Sequence, residues 1–75
     1  MVRGKFTLQS VTKHSYGNAQ TFKFFAVHDT VTEENRKFAK YTPSGTLQIT
    51  VDNPPAQEFF ELGKTYYLDF TKAEG

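Results

Sequence analysis

Residues 42–71, TPSGTLQITVDNPPAQEFFELGKTYYLDFT, read as strand, short helix, strand. From Thr46 to Val51 the chain alternates, with Leu47, Ile49 and Val51 on one side and Thr46, Gln48 and Thr50 on the other. A period of two is the mark of a half-buried antiparallel strand. Asp52 and Asn53 then supply a helix N-cap, and Pro54 and Pro55 fall in the first turn, where a missing N–H costs nothing. Ala56, Phe59 and Phe60 are spaced three and four apart, which places them on one face of a helix of about two turns. Gly63 is the expected left-handed stop. Residues 65–71 form the second strand, with Tyr66, Leu68 and Phe70 opposed to Tyr67, Asp69 and Thr71.

Working outward, residues 4–11 form a first strand on which Phe6 and Leu8 share a face with Val2. Val11 falls on the polar parity, which predicts a bulge near Ser10 or a change of face there. Residues 12–20 are a connection whose Gly17-Asn18 pair accepts positive φ and so suits a hairpin turn. Residues 21–28 are a second strand with Phe22, Phe24, Ala26 and His28 on one side and Phe25 and Val27 on the other. Apolar residues on both faces mark the most buried strand, or one that serves an interface. Residues 29–37 read as an exposed loop with one helical turn at Glu33-Glu34-Asn35. Residues 38–41 read as a short third strand, ended by the turn Thr42-Pro43-Ser44-Gly45.

The expected fold is therefore all-β with one short helix near residues 54–62, in a single small domain over residues 1–75. Two architectures fit: a small antiparallel five-stranded barrel of OB type, which also carries a helix between strands, or a sandwich. Leu47, Ile49, Phe59 or Phe60, Leu68 and Phe6 are expected in one core. Truncating Leu47 or Ile49 to Ala is then expected to cost about 2–5 kcal/mol.

With 75 residues and no cysteine to staple it, the domain depends for its stability on eight phenylalanines and four tyrosines. That is more aromatic surface than one small core requires. The surplus points to a surface that completes its burial against copies of the chain or a larger partner, with Phe25 and Tyr67 as candidate interface residues.

Chemistry-bearing constellations are sparse. His14 and His28 have no cysteine to join them in a zinc site, and Ser10, Ser15 and Ser44 lack the sharp elbow of a nucleophile. The glycines are dispersed and build no phosphate loop. Neither an enzyme, a metal, a cofactor nor a small-molecule substrate is expected. No run approaches the ~20 apolar residues of a membrane span, and no signal peptide follows Met1.

Net charge is +1, unevenly placed: residues 1–28 carry Arg3, Lys5, Lys13 and Lys23 without a single acid. Together with Arg36, Lys37, Lys40 and Tyr41, these basic residues define a candidate contact set for single-stranded nucleic acid, in which lysines follow phosphates and an aromatic ring stacks on a base. The alternative is that they serve solubility and strand-edge protection.

Several pieces carry a resemblance: Ala26-Val27, Glu34-Asn35 with Phe38, Thr42-Pro43-Ser44-Gly45, Asn53-Pro54, and Gly63-Lys64 with Tyr66-Tyr67 and Asp69-Phe70. Over almost its whole length the chain resembles a group of short proteins encoded by tailed bacteriophages and prophages. The resemblance implies a viral origin and carries over no functional residue. Phage proteins of this size commonly serve as capsid decoration or cement proteins, or bind nucleic acid early in infection. The expectation is a virion accessory protein that binds a phage capsid protein or copies of itself, in the virion or the bacterial cytoplasm. The alternative is an OB-like single-stranded nucleic-acid binder. The ending Thr71-Lys72-Ala73-Glu74-Gly75 lacks the acidic tail that many phage single-stranded-DNA-binding proteins carry.

Overall fold

The computed structural model describes residues 1–15 and 17–74. Its elements in chain order are β1 (Val2–Lys13), β2 (Gln20–Ala26), α1 (Glu33–Tyr41), β3 (Thr46–Val51), α2 (Pro54–Phe59) and β4 (Thr65–Phe70). The four strands form one antiparallel sheet in the order β3-β2-β1-β4. That order is the Greek-key arrangement, in which the last strand returns by a long connection to lie beside the first. The sheet does not close, so β3 and β4 are both edges.

Residues 38–41, expected as a third strand, are instead the last turn of α1, whose nine residues replace both the loop turn and the strand. Without that strand no five-stranded barrel is built. The helix starts where its cap chemistry dictates. Thr32 Oγ1 accepts from the Asn35 amide at 3.0 Å, and Glu33 and Glu34 sit in the first turn with Lys40 in the last, the charge order a helix dipole favours.

The expected break in β1 is present. Leu8 pairs with Phe24, but Ser10 pairs with Lys23 and Val11 with Phe22. The register shift between Leu8 and Ser10 returns Val11 to the apolar side. One face of the sheet then carries Phe6, Leu8, Phe22, Phe24 and Ala26, all buried, with Leu47, Ile49, Val51, Phe60, Tyr66 and Leu68 packed partly buried against them. Leu8 and Phe22 are the most deeply enclosed side chains.

The core is thus centred on β1 and β2. Leu47 and Ile49 sit on the edge strand β3, where they are partly rather than fully buried, and Phe59 is 66 % exposed. Of the expected helix face, the ring that reaches the sheet is Phe60, just past the end of α2. It lies 5.1 Å from the Phe22 ring centroid and 5.4 Å from those of Phe24 and Tyr66. Tyr66 in turn holds this crossover by its hydroxyl, which accepts from the Glu61 amide at 2.8 Å and donates to the Phe59 carbonyl at 3.2 Å.

Gln57 fastens α2 to the far end of the sheet. Its amide nitrogen donates to the carbonyls of Asn18 and Val51, both at 2.6 Å, and its oxygen accepts from Gln20 at 3.1 Å. Asn53 occupies the expected N-cap position but makes no side-chain cap bond; the Pro54-Pro55 pair starts the helix. Gly63, with φ of 85°, forms the turn into β4 rather than the end of α2. Its N–H donates to the Leu8 carbonyl. The turn between β1 and β2 includes Tyr16, which lies outside the described residues.

At the other end, Gly4 is buried beneath the Phe6 ring, and a β-carbon there would stand 2.6 Å from a Phe6 ring carbon. Gly4→Ala is therefore expected to cost about 1–3 kcal/mol through overpacking. Phe22→Ala, which empties the centre of the core, is expected to cost about 3–5 kcal/mol, and Ile49→Ala on its partly buried edge about 1–2 kcal/mol in a single copy. Urea denaturation of the three variants checks this ranking.

Candidate functional site

The strand registers divide the molecule into two unlike surfaces. On the apolar side α2 covers only one end of the sheet, where Gln57 and Phe60 hold it. The remainder is an open groove of about 260 Å³. Phe6 and Phe24 form its floor, Leu47 and Ile49 one wall, Leu68 and Tyr66 the other, and Phe59 and Phe60 its closed end. Val2 and Phe70, register partners on the same side, extend the apolar surface and are 65 % and 58 % exposed. Such a contiguous apolar surface on so small a domain is the signature of a contact face.

The opposite side is polar and laced by cross-strand bonds. Arg3 and Asp69 face each other in the β1–β4 ladder and form a forked ion pair, with Nε to Oδ1 at 2.6 Å and Nη2 to Oδ2 at 3.0 Å. Lys5 donates to Glu34 and to Asn35, both at 2.6 Å. The Tyr67 hydroxyl donates to the other Glu34 oxygen at 2.6 Å. Asn35 also donates to both Asp29 oxygens at 3.0 Å. These bonds, with the Phe38 ring 6.1 Å from that of Tyr67, dock α1 on the sheet. Tyr67 is thus the hub of an internal contact, with Arg3 and Lys5 over its ring at 5.0 and 5.8 Å.

The candidate residues separate accordingly. Phe25, the other expected interface ring, lies half-buried on the polar side with Lys23 5.5 Å from its centroid. Arg3, Lys5 and Lys23 do share that side, but the bulge turns Lys13 away: it pairs with Gln20 on the α2 side. Arg3 and Lys5 are neutralised by Asp69 and Glu34. Arg36, Lys37 and Lys40 line the exposed flank of α1 beside Glu33 and Tyr41, and Tyr41 is 77 % exposed with the Lys40 ammonium 5.8 Å from its ring centre.

In the sequence the groove walls Leu47, Ile49 and Leu68 look like core, and nothing in the alternation marks Val2 or Phe70 as exposed surface. The available signal was the lone six-residue helix, too short to cover a four-stranded sheet.

Among the described residues no group of three or more His, Cys, Asp or Glu side chains gathers in a metal-binding cluster. His14 Nε2 lies 2.8 Å from the Thr21 hydroxyl. No helix among the described residues is long and apolar enough to cross a membrane. No protein-family model matches the chain, and neither a curated protein nor a solved structure is similar to it.

The polar network is pH-sensitive at both ends. The Lys5 and Tyr67 bonds hold the Glu34 carboxyl below its ordinary range. Arg3 does the same for Asp69, and Asn35 with the Val31 amide for Asp29. In each case the unfolded chain binds the proton more tightly. The stability these groups lend is therefore present above the ordinary carboxylate range and lost as pH falls through their depressed values. The Tyr67 phenol is pushed up, chiefly by its bond to Glu34, so its contribution is present at neutrality and lost as pH rises above about 10. The urea midpoint is expected to fall below about pH 4 less steeply in Glu34→Gln than in the parent. Tyr67→Phe removes the alkaline component.

Proposed function

We propose that the chain is a non-enzymatic binding protein, an accessory protein of a tailed-phage virion, which acts by docking its apolar sheet face on a protein surface. One observation carries the reading: α2 leaves an apolar groove on the sheet, walled by the partly buried Leu47, Ile49 and Leu68, and the rings of Phe59 and Phe70 stand exposed on the same side. A face of this kind gains free energy from any protein that removes it from water, at about 25 cal/mol per Å² of apolar surface. The resemblance to short phage proteins directs the choice of partner toward a capsid subunit or copies of the chain.

A second reading, single-stranded nucleic-acid binding, rests on the exposed flank of α1, where Arg36, Lys37, Lys40 and Tyr41 place cations beside an aromatic ring. Its weakness lies in the sheet, since Arg3 and Lys5 are engaged by Asp69 and Glu34 and Lys13 lies on the other side. The surviving cations are few for a phosphate-following groove.

Co-sedimentation with purified virions of the encoding phage tests the first reading. Retention is expected for the parent, and a loss of at least ~10-fold for Phe59→Lys, which places a charge on the docking face without touching the buried core. Fluorescence anisotropy with single-stranded oligonucleotides at low and near-physiological salt tests the second. Weak binding that vanishes at the higher salt is expected. Tight binding that survives there and falls in Tyr41→Ala would replace the virion reading.

A further inference from the structure

We propose that the uncovered apolar face is occupied by the same face of a second copy of the chain, so that two sheets close into a two-fold sandwich. This rests on the reading of the chain as a binding protein and names the partner of its docking face.

Surface area is the first argument. The chain exposes 5765 Å², whereas a compact monomer of 8.6 kDa is expected to expose about 4,700 Å². Its radius of gyration is 13.9 Å, against about 11 Å for a compact domain of this length. The cause is shape: the molecule measures 41 × 35 × 18 Å, a plate whose single sheet is covered only in part, by α1 on its polar side and by the six residues of α2 on its apolar side. Stable domains need two packed layers. The excess of about 1,000 Å² per copy is what a dimer burying roughly 2,000 Å² in total would remove, the scale of obligate homodimer interfaces.

Charge is the second argument. From Val2 and Phe70 at one end to Ile49 near the other, the groove side of the sheet carries no charged side chain; Arg3, Lys5, Lys23 and Asp69 all point to the opposite side. An identical face can meet it without burying an unpaired charge, and the isologous geometry of a two-fold dimer requires that self-compatibility. Sheets stacked face to face stand about 10 Å apart, close enough for interdigitating side chains to fill both grooves. Lys13, at the α2 end, stays clear of the groove lining.

Pairing through the β3 edge is the competing arrangement, since Thr46, Gln48 and Thr50 leave that edge uncharged. It would lengthen the sheet and leave the groove side exposed, so it does not account for the excess area.

Sedimentation equilibrium on the parent, on a Phe59→Lys/Phe70→Lys double variant and on Gln48→Lys separates these cases. Both substituted rings are largely exposed in one copy, and circular dichroism verifies that the sheet is retained. The parent and Gln48→Lys are expected to be dimers. The double variant is expected to dissociate at least ~100-fold more readily. Because the chain has no cysteine, single spin labels on the parent sequence provide a readout independent of those variants. A label at Glu58→Cys on the α2 side should give a shorter distance between copies than one at Arg36→Cys on α1. A parent that is monomeric at about 100 μM, a dimer broken by Gln48→Lys but kept by the double variant, or the reverse order of label distances overturns the proposal. A monomer that still co-sediments with virions through Phe59 overturns the second copy and leaves the docking face standing; a monomer that does not co-sediment overturns both.

Discussion

The placement of one ring, Phe60, governs the arrangement of the chain. It sits within 5.1–5.4 Å of Phe22, Phe24 and Tyr66, and so pins the connection after β3 across the apolar side of the sheet. Such aromatic pairs contribute about 0.5–1.5 kcal/mol each beyond the area they bury, and four of them, with Phe59 as the fourth partner, meet at this ring. With the crossover held there, β4 joins the sheet at the β1 edge. The β1–β4 pairing then brings Arg3 opposite Asp69 and sets Tyr67 where α1 can dock. The same ring also explains what is left open. It anchors the crossover at one end of the sheet, so the walls at Leu47 and Leu68 are covered only in part.

Much of this was legible in the residues. The alternation in Thr46–Val51 and Thr65–Phe70 gave both edge strands, and the parity change at Val11 gave the bulge in β1, because side-chain direction in a strand is a strictly local property. The helix α1 was missed for a local reason too. Its cap, Thr32 with two glutamates following, stands in the sequence, but residues 38–41 offer Phe38 and Tyr41 in a window of only four residues. At that length the periods of strand and helix cannot be told apart. Depth of burial was the harder quantity. Ile49 and Phe24 look alike in sequence, and only the strand order places one at an edge and the other at the centre.

The site was less legible than the fold, again for a physical reason. Ion pairs such as Arg3–Asp69 and Lys5–Glu34 join residues 66 and 29 positions apart, so a run of bases without acids looked like a free basic surface. Tyr67, expected at an interface with another protein, has Glu34 and Phe38 of its own chain as partners. The exposure of Phe59 and Phe70 on the groove side depends on how little sheet a six-residue helix can cover.

The pairing of Val2–Thr7 residues with those of β4 has a consequence for how the protein is made. Val2 lies opposite Phe70 and Thr7 opposite Thr65, so β1 waits for its second neighbour until residues 65–70 have left the ribosome. Until then a three-stranded intermediate exposes the Phe6 flank of the sheet. Contacts of such long sequence separation form late and slowly, which makes the nascent chain, rather than the finished one, the form most in need of a chaperone.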